Sequence, residues 1–238
     1  MSPERDTEIA AALDRYGFDA SVSVPLGILV DLLSTSAAPT SVHDPQDVVR
    51  VHIADSLTGL EIPELSSPGV VADLGAGAGL PGLVLAAARP DARVVLVEAA
   101  SRKCAFLRAA AREMRLENVE VAWSRAEEWQ DGLDHCDVVS ARALASLPVL
   151  VEYAAPLLRE QGVLVAWKGV VPDAEAEDGA AAAAQLGMCE EPVRSVTPFP
   201  GSERRTLHVV RKVASTPAGF PRRPGMATKR PLSAKKSR

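Results

Sequence analysis

The most constraining feature of this sequence is a buried apolar run that ends in a glycine-rich turn. Residues 69–82 read GVVADLGAGAGLPG, with four glycines in the eight residues from Gly75 to Gly82. Such a run predicts a buried strand, and the glycines let the backbone turn sharply and approach a ligand. A second apolar run, RVVLVE at 93–98, predicts a neighbouring strand that ends in Glu98. The two strand ends predict a nucleotide-binding pocket in which Glu98 accepts hydrogen bonds from ribose hydroxyls.

The rest of the chain alternates between strand and helix patterns. Parallel strands are predicted near residues 69–74, 94–98, 119–122, 136–140 and 162–167, with helices between them. This alternation is typical of a doubly wound parallel sheet. Two final strands, near 189–197 and 205–212, flank a turn with Pro and Gly and are predicted to pair antiparallel. Earlier helical patterns predict an N-terminal cap, whose third helix has Asp44 as N-cap and Pro45 in its first turn.

Length and composition are consistent with one α/β domain with additions at both ends. The 238 residues are 47% hydrophobic and 24% charged, which is ordinary for a globular protein. We predict an N-terminal helical cap over residues 1–60, a Rossmann-like domain over 61–213 and a basic, flexible tail over 214–238. No run is long enough to span a membrane and no signal-peptide pattern is seen, so a cytoplasmic protein is expected. Scattered cysteines and histidines predict no metal site, and the absence of a large apolar surface pattern predicts a monomer.

The predicted tail carries a charge opposite to that of the body. Residues 222–238 contain seven cationic side chains and no acid, although the whole chain has a net charge of −5. A basic tail on an acidic body is typical of a protein that touches a polyanion at one place. A solvated, disordered terminus explains the same pattern, so charge alone leaves both interpretations open.

Two ligand classes compete for the glycine turn. The letters GAGLPG at 77–82 match the GxGxxG pattern of dinucleotide-binding oxidoreductases, although that pattern alone is weak. If the turn begins at Gly75, the position of the third glycine holds Leu80 instead. Asp73 then lies where an acid can face the ammonium and sulfonium charges of a bound ligand. The arrangement from Asp73 to Gly77, acid-x-Gly-x-Gly, resembles motif I of the class I S-adenosylmethionine-dependent methyltransferases, which we favour.

A later segment, SRAEEW at 124–129, follows the third strand. In this fold the adenine ring lies against that loop, so the backbone of Ala126 and the acid Glu127 are candidates to bind the adenine edge. A capping box formed by Ser124 and Glu127 explains the same letters. Both interpretations stay open.

The fourth strand ends in SARALASL at 140–147 and offers Arg142 as the residue that orients the acceptor. The segment lacks the Asp/Asn-Pro-Pro-aromatic motif of amino-group methylases and has no nucleophilic cysteine. A ring nitrogen such as N7 of guanine has a free lone pair, so its methylation needs positioning but no general base. An arginine can hold a nearby carbonyl or phosphate without acting as a base. Lys168, at the end of the fifth strand, is a candidate phosphate contact and equally a solvated strand-end lysine.

Taken in order, these motifs resemble the bacterial 16S ribosomal RNA guanine-N7 methyltransferase family (RsmG/GidB). The resemblance covers about residues 41–212 and includes the helix RVHIADSL at 50–57. There Arg50 is one residue farther from His52 than in the family's usual Arg-His pair. The tail sequence PRRPGMATKRPL also resembles the family's C-terminus. Residues 38–40 read Ala-Pro-Thr where many relatives carry Asn-Leu-Thr, so no role of that asparagine is carried over.

The resemblance implies a class I fold, with a mostly parallel seven-stranded sheet whose last strand is antiparallel. It implies S-adenosylmethionine as donor and one guanine of 16S ribosomal RNA, in the small ribosomal subunit, as acceptor. The predicted donor-binding residues are Asp73, Gly75, Gly77, Leu80, Glu98, Ala126, Glu127 and Arg142. The predicted RNA-binding residues are His52, Asp55, Ser56, Lys168, Arg222 and Arg223. The alternatives are a small-molecule or protein methyltransferase, a nicotinamide-dependent oxidoreductase and a non-catalytic RNA-binding module.

Overall fold

The computed structural model describes residues 3–18 and 20–234, whose strands form one mixed sheet. The strands are β1 Val70–Leu74, β2 Arg93–Glu98, β3 Val119–Trp123, β4 Cys136–Arg142, β5 Leu158–Lys168, β6 Met188–Glu190, β7 Arg194–Val196 and β8 Arg205–Lys212. Their order is β3-β2-β1-β4-β5-β8-β6, and β7 also pairs with β8. Strands β1 to β5 are parallel, whereas β8 is antiparallel to β5 and to both β6 and β7.

Helices precede the sheet and connect its strands. They are α1 Pro3–Asp14, α2 Ala20–Leu33, α3 Pro45–Asp47, the π-helix Val48–Ala54, α4 Asp55–Leu57, α5 Gly82–Ala88, α6 Ser101–Glu113, α7 Leu147–Ala154, α8 Asp173–Gln185 and α9 Met226–Lys229. Short 3₁₀ turns cover Thr58–Glu61, Pro63–Leu65, Ala126–Glu128 and Gln130–Gly132. In the segments that the structure describes, no helix is long and apolar enough to cross a membrane, and no three His, Cys, Asp or Glu side chains are grouped to hold a metal ion.

Alternate side chains of each inner strand point into two hydrophobic layers. Val94 and Leu96 of β2 join the cluster that contains α5, α6 and the N-terminal helices. Val95 and Val97 join the cluster that contains α7, α8 and α9. This period of two places helices on both faces of the sheet. The mostly parallel α/β class predicted from the sequence is therefore confirmed.

The edge of the sheet differs from the prediction in its number of strands. The single strand expected near residues 189–197 forms two short strands, β6 and β7. Glu190 pairs with Val210 and Arg194 with Leu207, so the edge segment has one residue more than β8 between these pairs. Pro192 lies in this gap and has no N–H to donate to the ladder. The extra residue and the proline explain why the strand is interrupted.

The N-terminal helices share a core with the sheet. Asp44 caps the third helical segment as predicted, because its Oδ1 accepts the backbone N–H groups of Gln46 and Asp47 at 3.0 and 3.1 Å. The segment then widens into the π-helix, which the apolar pattern did not indicate. Ile53 of the π-helix belongs to the same buried cluster as Leu83 of α5. The predicted boundary near residue 60 therefore marks a change of topology within one continuous core.

The tail is packed against the sheet domain, which corrects the prediction that it is flexible. Arg222 forms an ion pair with Glu152 of α7, Ala227 of α9 is buried, and the Ala234 N–H donates to a carboxylate oxygen of Asp178 at 2.9 Å. The last part of the predicted tail, residues 235–238, lies outside the described residues.

The start of α5 lies so close to β1 and β2 that only glycine is accommodated there. A Cβ on Gly82 would overlap the Leu96 side chain and lie 2.8 Å from Oδ2 of Asp73. We expect Gly82→Ala to lower the free energy of unfolding by about 1–3 kcal/mol, because it overfills a packed site. Equilibrium urea unfolding measures this loss. Gly169→Ala is the matched control, since its Cβ would meet its nearest neighbour at an ordinary 3.8 Å; equal midpoints for the two variants would contradict the packing argument.

Candidate functional site

The glycine turn links the carboxyl ends of β1 and β2. The backbone N–H groups of Gly75 and Ala76 both donate to the carbonyl of Val97, at 2.8 and 3.2 Å. Gly75 has a φ of 63°, a left-handed conformation that L side chains rarely adopt. A Cβ there would also lie 2.5 Å from Leu144. The turn therefore requires glycine at its first position and leaves backbone, rather than side chain, at the sheet edge.

Glu98 is held at the end of β2 by two backbone donors. Its Oε2 accepts the Gly77 N–H at 3.0 Å, and its Oε1 accepts the Ala100 N–H at 2.8 Å. The residue is 7% exposed. These bonds fix the carboxylate beside the glycine turn, at the position where the sequence predicts a ribose-binding acid.

A cavity of about 250 Å³ opens beside Glu98. Its wall combines the glycine turn, the end of β2, the loop after β3, the tip of β4 and one residue each of α6 and α7. The lining residues are Gly75, Val97, Glu98, Ala99, Lys103, Ser124, Arg125, Ala126, Glu127, Ala143, Leu144 and Tyr153. Four of the predicted donor-binding residues, Gly75, Glu98, Ala126 and Glu127, are thus brought together. We call this space the donor cavity.

The C-terminal part of the chain contacts Glu127 and fixes its side chain. Its Oε1 accepts the backbone N–H of Gly225 at 2.9 Å. The Ser124 hydroxyl donates to the carbonyl of Arg125, and its oxygen accepts no N–H of the following 3₁₀ turn. This loop therefore does not form the capping box that the sequence left open. The partner of Glu127 is Gly225, which is too distant in the chain for the local sequence to indicate.

Asp73 lies beneath the glycine turn rather than facing the cavity, which differs from its predicted orientation. The residue is completely buried. Its Oδ2 accepts the Gly82 N–H at 3.0 Å, and its Oδ1 accepts the Ser140 hydroxyl at 2.9 Å. Burial raises the pKa of this carboxyl to about 7. Asp73 therefore connects the turn to α5 and β4. It positions the cavity wall but is not part of that wall.

Two other predicted donor contacts also lie off the cavity wall. The backbone N–H of Gly77 is already donated to Glu98. Leu80 is 6% exposed and belongs to the hydrophobic cluster on the α5 face. Both residues shape the turn, and neither lines the donor cavity as the structure describes it.

Arg142, at the tip of β4, is bound by the N-terminal cap. Its Nη1 donates to the carbonyl of Val51 at 3.0 Å and to Oδ2 of Asp55 at 2.8 Å, and its Nη2 lies 3.0 Å from Nδ1 of His52. The side chain is 15% exposed. Arg142 lines a second cavity rather than the donor cavity, and its predicted donor contact stays a prediction. The structure instead brings Arg142 together with two predicted RNA-binding residues.

His52 is neutral and has a defined tautomer. Burial first, and then the charge of Arg142, lower its pKa to about 4. Because a guanidinium can only donate, Nδ1 of His52 accepts from Arg142. The protonated Nε2 then donates to Oγ1 of Thr40 at 2.8 Å. The imidazole thus links the loop before α3 to the tip of β4.

The second cavity, of about 260 Å³, is lined by five charged residues, each from a different helix or strand. They are Asp55, Arg142, Lys168, Glu175 and Arg205, together with Ala143, Trp167, Gly169, Val170, Val196 and Thr206. Asp55 is 1% exposed, and its Oδ1 has no hydrogen-bond partner. Nε of Arg205 lies 3.7 Å from this oxygen. A buried acceptor that is left unsatisfied is costly, so this oxygen is suited to a donor group on a ligand. We call this space the acceptor cavity.

Ala143 lines both cavities. Its φ is 54°, in the left-handed region, which is uncommon for a residue other than glycine. Such backbone strain concentrates at functional sites. Ala143 therefore marks the point where the two cavities adjoin. The sequence gives no signal for it, because nothing in the letters SARALASL distinguishes this alanine from its neighbours.

The remaining predicted RNA-binding residues fall into accessible and inaccessible groups. Lys168 lines the acceptor cavity, where its Nζ pairs with Glu175 at 2.7 Å. Ser56 is fully buried, and its hydroxyl donates to the carbonyl of His52 at 2.6 Å. Arg222 is paired with Glu152, whereas Arg223 is exposed. The side chains of Ser56 and Arg222 are thus engaged within the protein, and their RNA contacts stay predictions.

Comparisons with known proteins give one consistent family. The model of the family described as rRNA small subunit methyltransferase G matches residues 29–205. The chain is similar to the "Ribosomal RNA small subunit methyltransferase G" of Pelotomaculum thermopropionicum, with 41% identity over 81% of this chain and 82% of that protein. It is 37% identical to the protein of the same name from Deinococcus deserti, over 98% of both chains. A solved S-adenosylmethionine-dependent O-methyltransferase from Thermotoga maritima has a similar fold, with a TM-score of 0.57, 15% identity and coverage of 79% of this chain and 72% of that chain.

Protonation of His52 is expected to destabilise the fold. Its pKa is about 4 in the folded chain against an ordinary value of 6.5, so the unfolded chain takes up the proton first. The stabilisation from neutral His52 is complete above the pKa of this residue in the unfolded chain. Up to about 3 kcal/mol of it is lost as the pH falls toward the folded-state pKa of about 4. Urea unfolding of the wild type and of His52→Gln, which does not titrate, measures this effect between roughly pH 7 and pH 4.5.

The variant should lose less unfolding free energy over this range than the wild type. Asp73, whose pKa is raised to about 7, changes stability in the opposite direction. It does so in both proteins, so its effect cancels in the comparison. Equal pH dependence of the two proteins would contradict the neutral state of His52.

Proposed function

Because this chain belongs to the rRNA small subunit methyltransferase G family, we propose that it methylates nitrogen-7 of a guanine in 16S ribosomal RNA with S-adenosylmethionine as donor. The family match covers residues 29–205, and relatives of that name align over most of the chain. The choice of nitrogen-7 is supported by two features of the site. The tip of β4 has no amino-methylase motif, and it carries an arginine that cannot act as a base.

The donor cavity has the groups that S-adenosylmethionine requires. The carboxylate of Glu98 is placed to accept hydrogen bonds from the ribose hydroxyls, as an acid at the end of the second strand does for nucleotide ribose. The loop with Ala126 and Glu127 supplies backbone and carboxylate groups for the adenine. The glycine turn presents backbone at the remaining side. When bound, the donor supplies a methyl group on a sulfonium, which the lone pair of an acceptor displaces without loss of a proton.

The acceptor cavity has the groups that would bind a guanine. Guanine presents N–H donors at N1 and N2 beside the acceptor O6. The free Oδ1 of Asp55 can accept one of these N–H groups, and the guanidinium groups of Arg142 and Arg205 can donate to O6. A base held in this cavity adjoins the donor cavity at Ala143. Lys168 lines the same cavity, and a phosphate there would compete with Glu175 for its ammonium group.

The surrounding residues fix the position of the Arg142 side chain. Its donors are fixed by the carbonyl of Val51, the carboxylate of Asp55 and the imidazole of His52. Such positioning is the main requirement of a transfer that needs no proton removal. His52 itself is unsuited as a base, because the lone pair of Nδ1 accepts from Arg142. The residues of the cap therefore pre-organise the site.

The other candidate functions are less well supported. A nicotinamide-dependent oxidoreductase is not retained, because the matching family consists of methyltransferases. A small-molecule or protein methyltransferase on the same fold would not need the cationic side chains of the acceptor cavity. Because the proposed substrate is ribosomal RNA, we propose that the protein acts in the cytoplasm. We also propose that it is a monomer.

Donor binding is expected to depend on the charge of Glu98. Glu98→Gln keeps the size of the side chain but weakens the acceptor for ribose hydroxyls and for the Gly77 N–H, so the dissociation constant of S-adenosylhomocysteine should rise by roughly tenfold or more. Isothermal titration calorimetry measures this change. Glu120→Gln is the matched control, since this acid lies on the neighbouring strand β3 with a side chain that is 57% exposed. Equal affinities of the two variants would argue against Glu98 as the ribose acceptor.

The activity itself is tested by chemical cleavage of 16S ribosomal RNA. Incubation with S-adenosylmethionine, followed by reduction and aniline treatment, should cleave the RNA at one guanine, because this chemistry reports 7-methylguanine. Arg142→Ala should lower kcat by about 100-fold or more through loss of positioning, with S-adenosylhomocysteine binding and RNA binding largely retained. Arg159→Ala, at an exposed site on β5, is the control. Absence of cleavage with both free RNA and small subunits would exclude guanine-N7 methylation.

A further inference from the structure

The C-terminal segment of residues 216–234, which we call the C-terminal strap, lies across α7. The Thr216 hydroxyl donates to the carbonyl of Ala155 at 2.9 Å, just beyond the end of α7. Ala227 of α9 is buried in the same hydrophobic cluster as α7. The strap ends near α8, where the Ala234 N–H donates to Asp178. Its course places it behind the wall of the donor cavity.

One ion pair anchors the strap. Nε and Nη2 of Arg222 donate to the two carboxylate oxygens of Glu152, at 2.7 and 2.5 Å. Glu152 is 1% exposed, and Nη2 of Arg222 also donates to the carbonyl of Arg230 at 2.9 Å. A two-point pair with a buried carboxylate is geometrically specific. Removal of the arginine would leave that carboxylate buried without a counter-charge.

The strap then contacts two residues of the donor-cavity wall. Gly225, with a φ of 77°, directs its backbone N–H to Oε1 of Glu127. The hydroxyls of Thr228 and Tyr153 are 3.2 Å apart. Glu127 and Tyr153 both line the donor cavity. A bond to one oxygen of Glu127 fixes the direction of the whole carboxylate, so the strap controls how that acid faces the cavity.

We propose that the C-terminal strap is a positioning element of the donor site. Arg222 anchors the strap on Glu152, and Gly225 thereby holds Glu127 in the orientation that binds the adenine of the donor. Arg222 is a positioning residue, since it acts through Glu127 and does not reach the cavity itself. The inference rests on the proposed function, because it requires S-adenosylmethionine in that cavity.

Two adjacent arginines provide a matched pair for the test. Arg222 is engaged with Glu152, whereas Arg223 is exposed and forms no ion pair with the part of the chain that the structure describes. Both have the same side chain and neighbouring places in a basic segment. An effect of net charge would be equal for the two residues, but an effect of anchoring would be specific to Arg222.

The experiment measures S-adenosylhomocysteine binding to the full-length chain by calorimetry. Arg222→Ala should raise the dissociation constant by about five- to tenfold, while Arg223→Ala should leave it unchanged and weaken binding to 16S ribosomal RNA. Arg222→Lys keeps the charge with a single donor group and should fall between the wild type and Arg222→Ala. It also keeps the test valid if Arg222→Ala does not fold.

A double-mutant cycle with Glu127→Ala separates positioning from general stability. If the strap acts through Glu127, the effects of Arg222→Ala and Glu127→Ala on donor affinity will be clearly less than additive. Additive effects, equal losses for Arg222→Ala and Arg223→Ala, or wild-type affinity in both Arg222 variants would each overturn the inference. Failure of the wild-type protein to bind S-adenosylhomocysteine would instead refute the proposed function.

Discussion

The site depends above all on the bonds that join Arg142 to the N-terminal cap. A parallel sheet of this kind ends in loops at its carboxyl edge, and those loops alone leave the tip of β4 open. Here Val51, His52 and Asp55 reach across from the cap and hold the guanidinium in place. Asp55 is in turn held by Trp167, whose indole N–H donates to its backbone carbonyl at 2.9 Å. The cap and two strands of the sheet are thus connected through one buried network, and the acceptor cavity exists because of it.

The same network makes the ionisation states of its members depend on each other. A protonated His52 would place a cation against Arg142 and lose the acceptor that Arg142 now uses. A neutral His52 avoids this repulsion, which together with burial explains its low pKa. The carboxylate of Asp55 balances the guanidinium with one oxygen and leaves the other for a ligand. The result is a site with fixed donors and acceptors, which suits a transfer to a ring nitrogen because that transfer needs positioning but no base.

The sequence predicted the sheet and the ends of its strands because those features are local. Short apolar runs and the glycines that follow determine where β1 and β2 end, and that placement brings Gly75 and Glu98 to one cavity. The orientation of Asp73 was predicted wrongly, because it depends on Ser140, which is 67 residues away in the chain. Charge patterns likewise could not distinguish Arg222 from Arg223, since the difference is the position of Glu152. Local patterns therefore identified the edge of the sheet that carries the site, and long-range packing decided which side chains face it.

The two cavities also show how a common sheet is specialised by the segments at its ends. The solved O-methyltransferase from Thermotoga maritima has a similar fold at 15% identity, so the sheet itself does not define an acceptor. In this chain the cap supplies His52 and Asp55 to the acceptor side, and the C-terminal strap supplies Gly225 to the donor side. The sheet contributes the strained backbone at Ala143, where the two cavities adjoin. Residues from opposite ends of the chain therefore meet on either side of one strand tip.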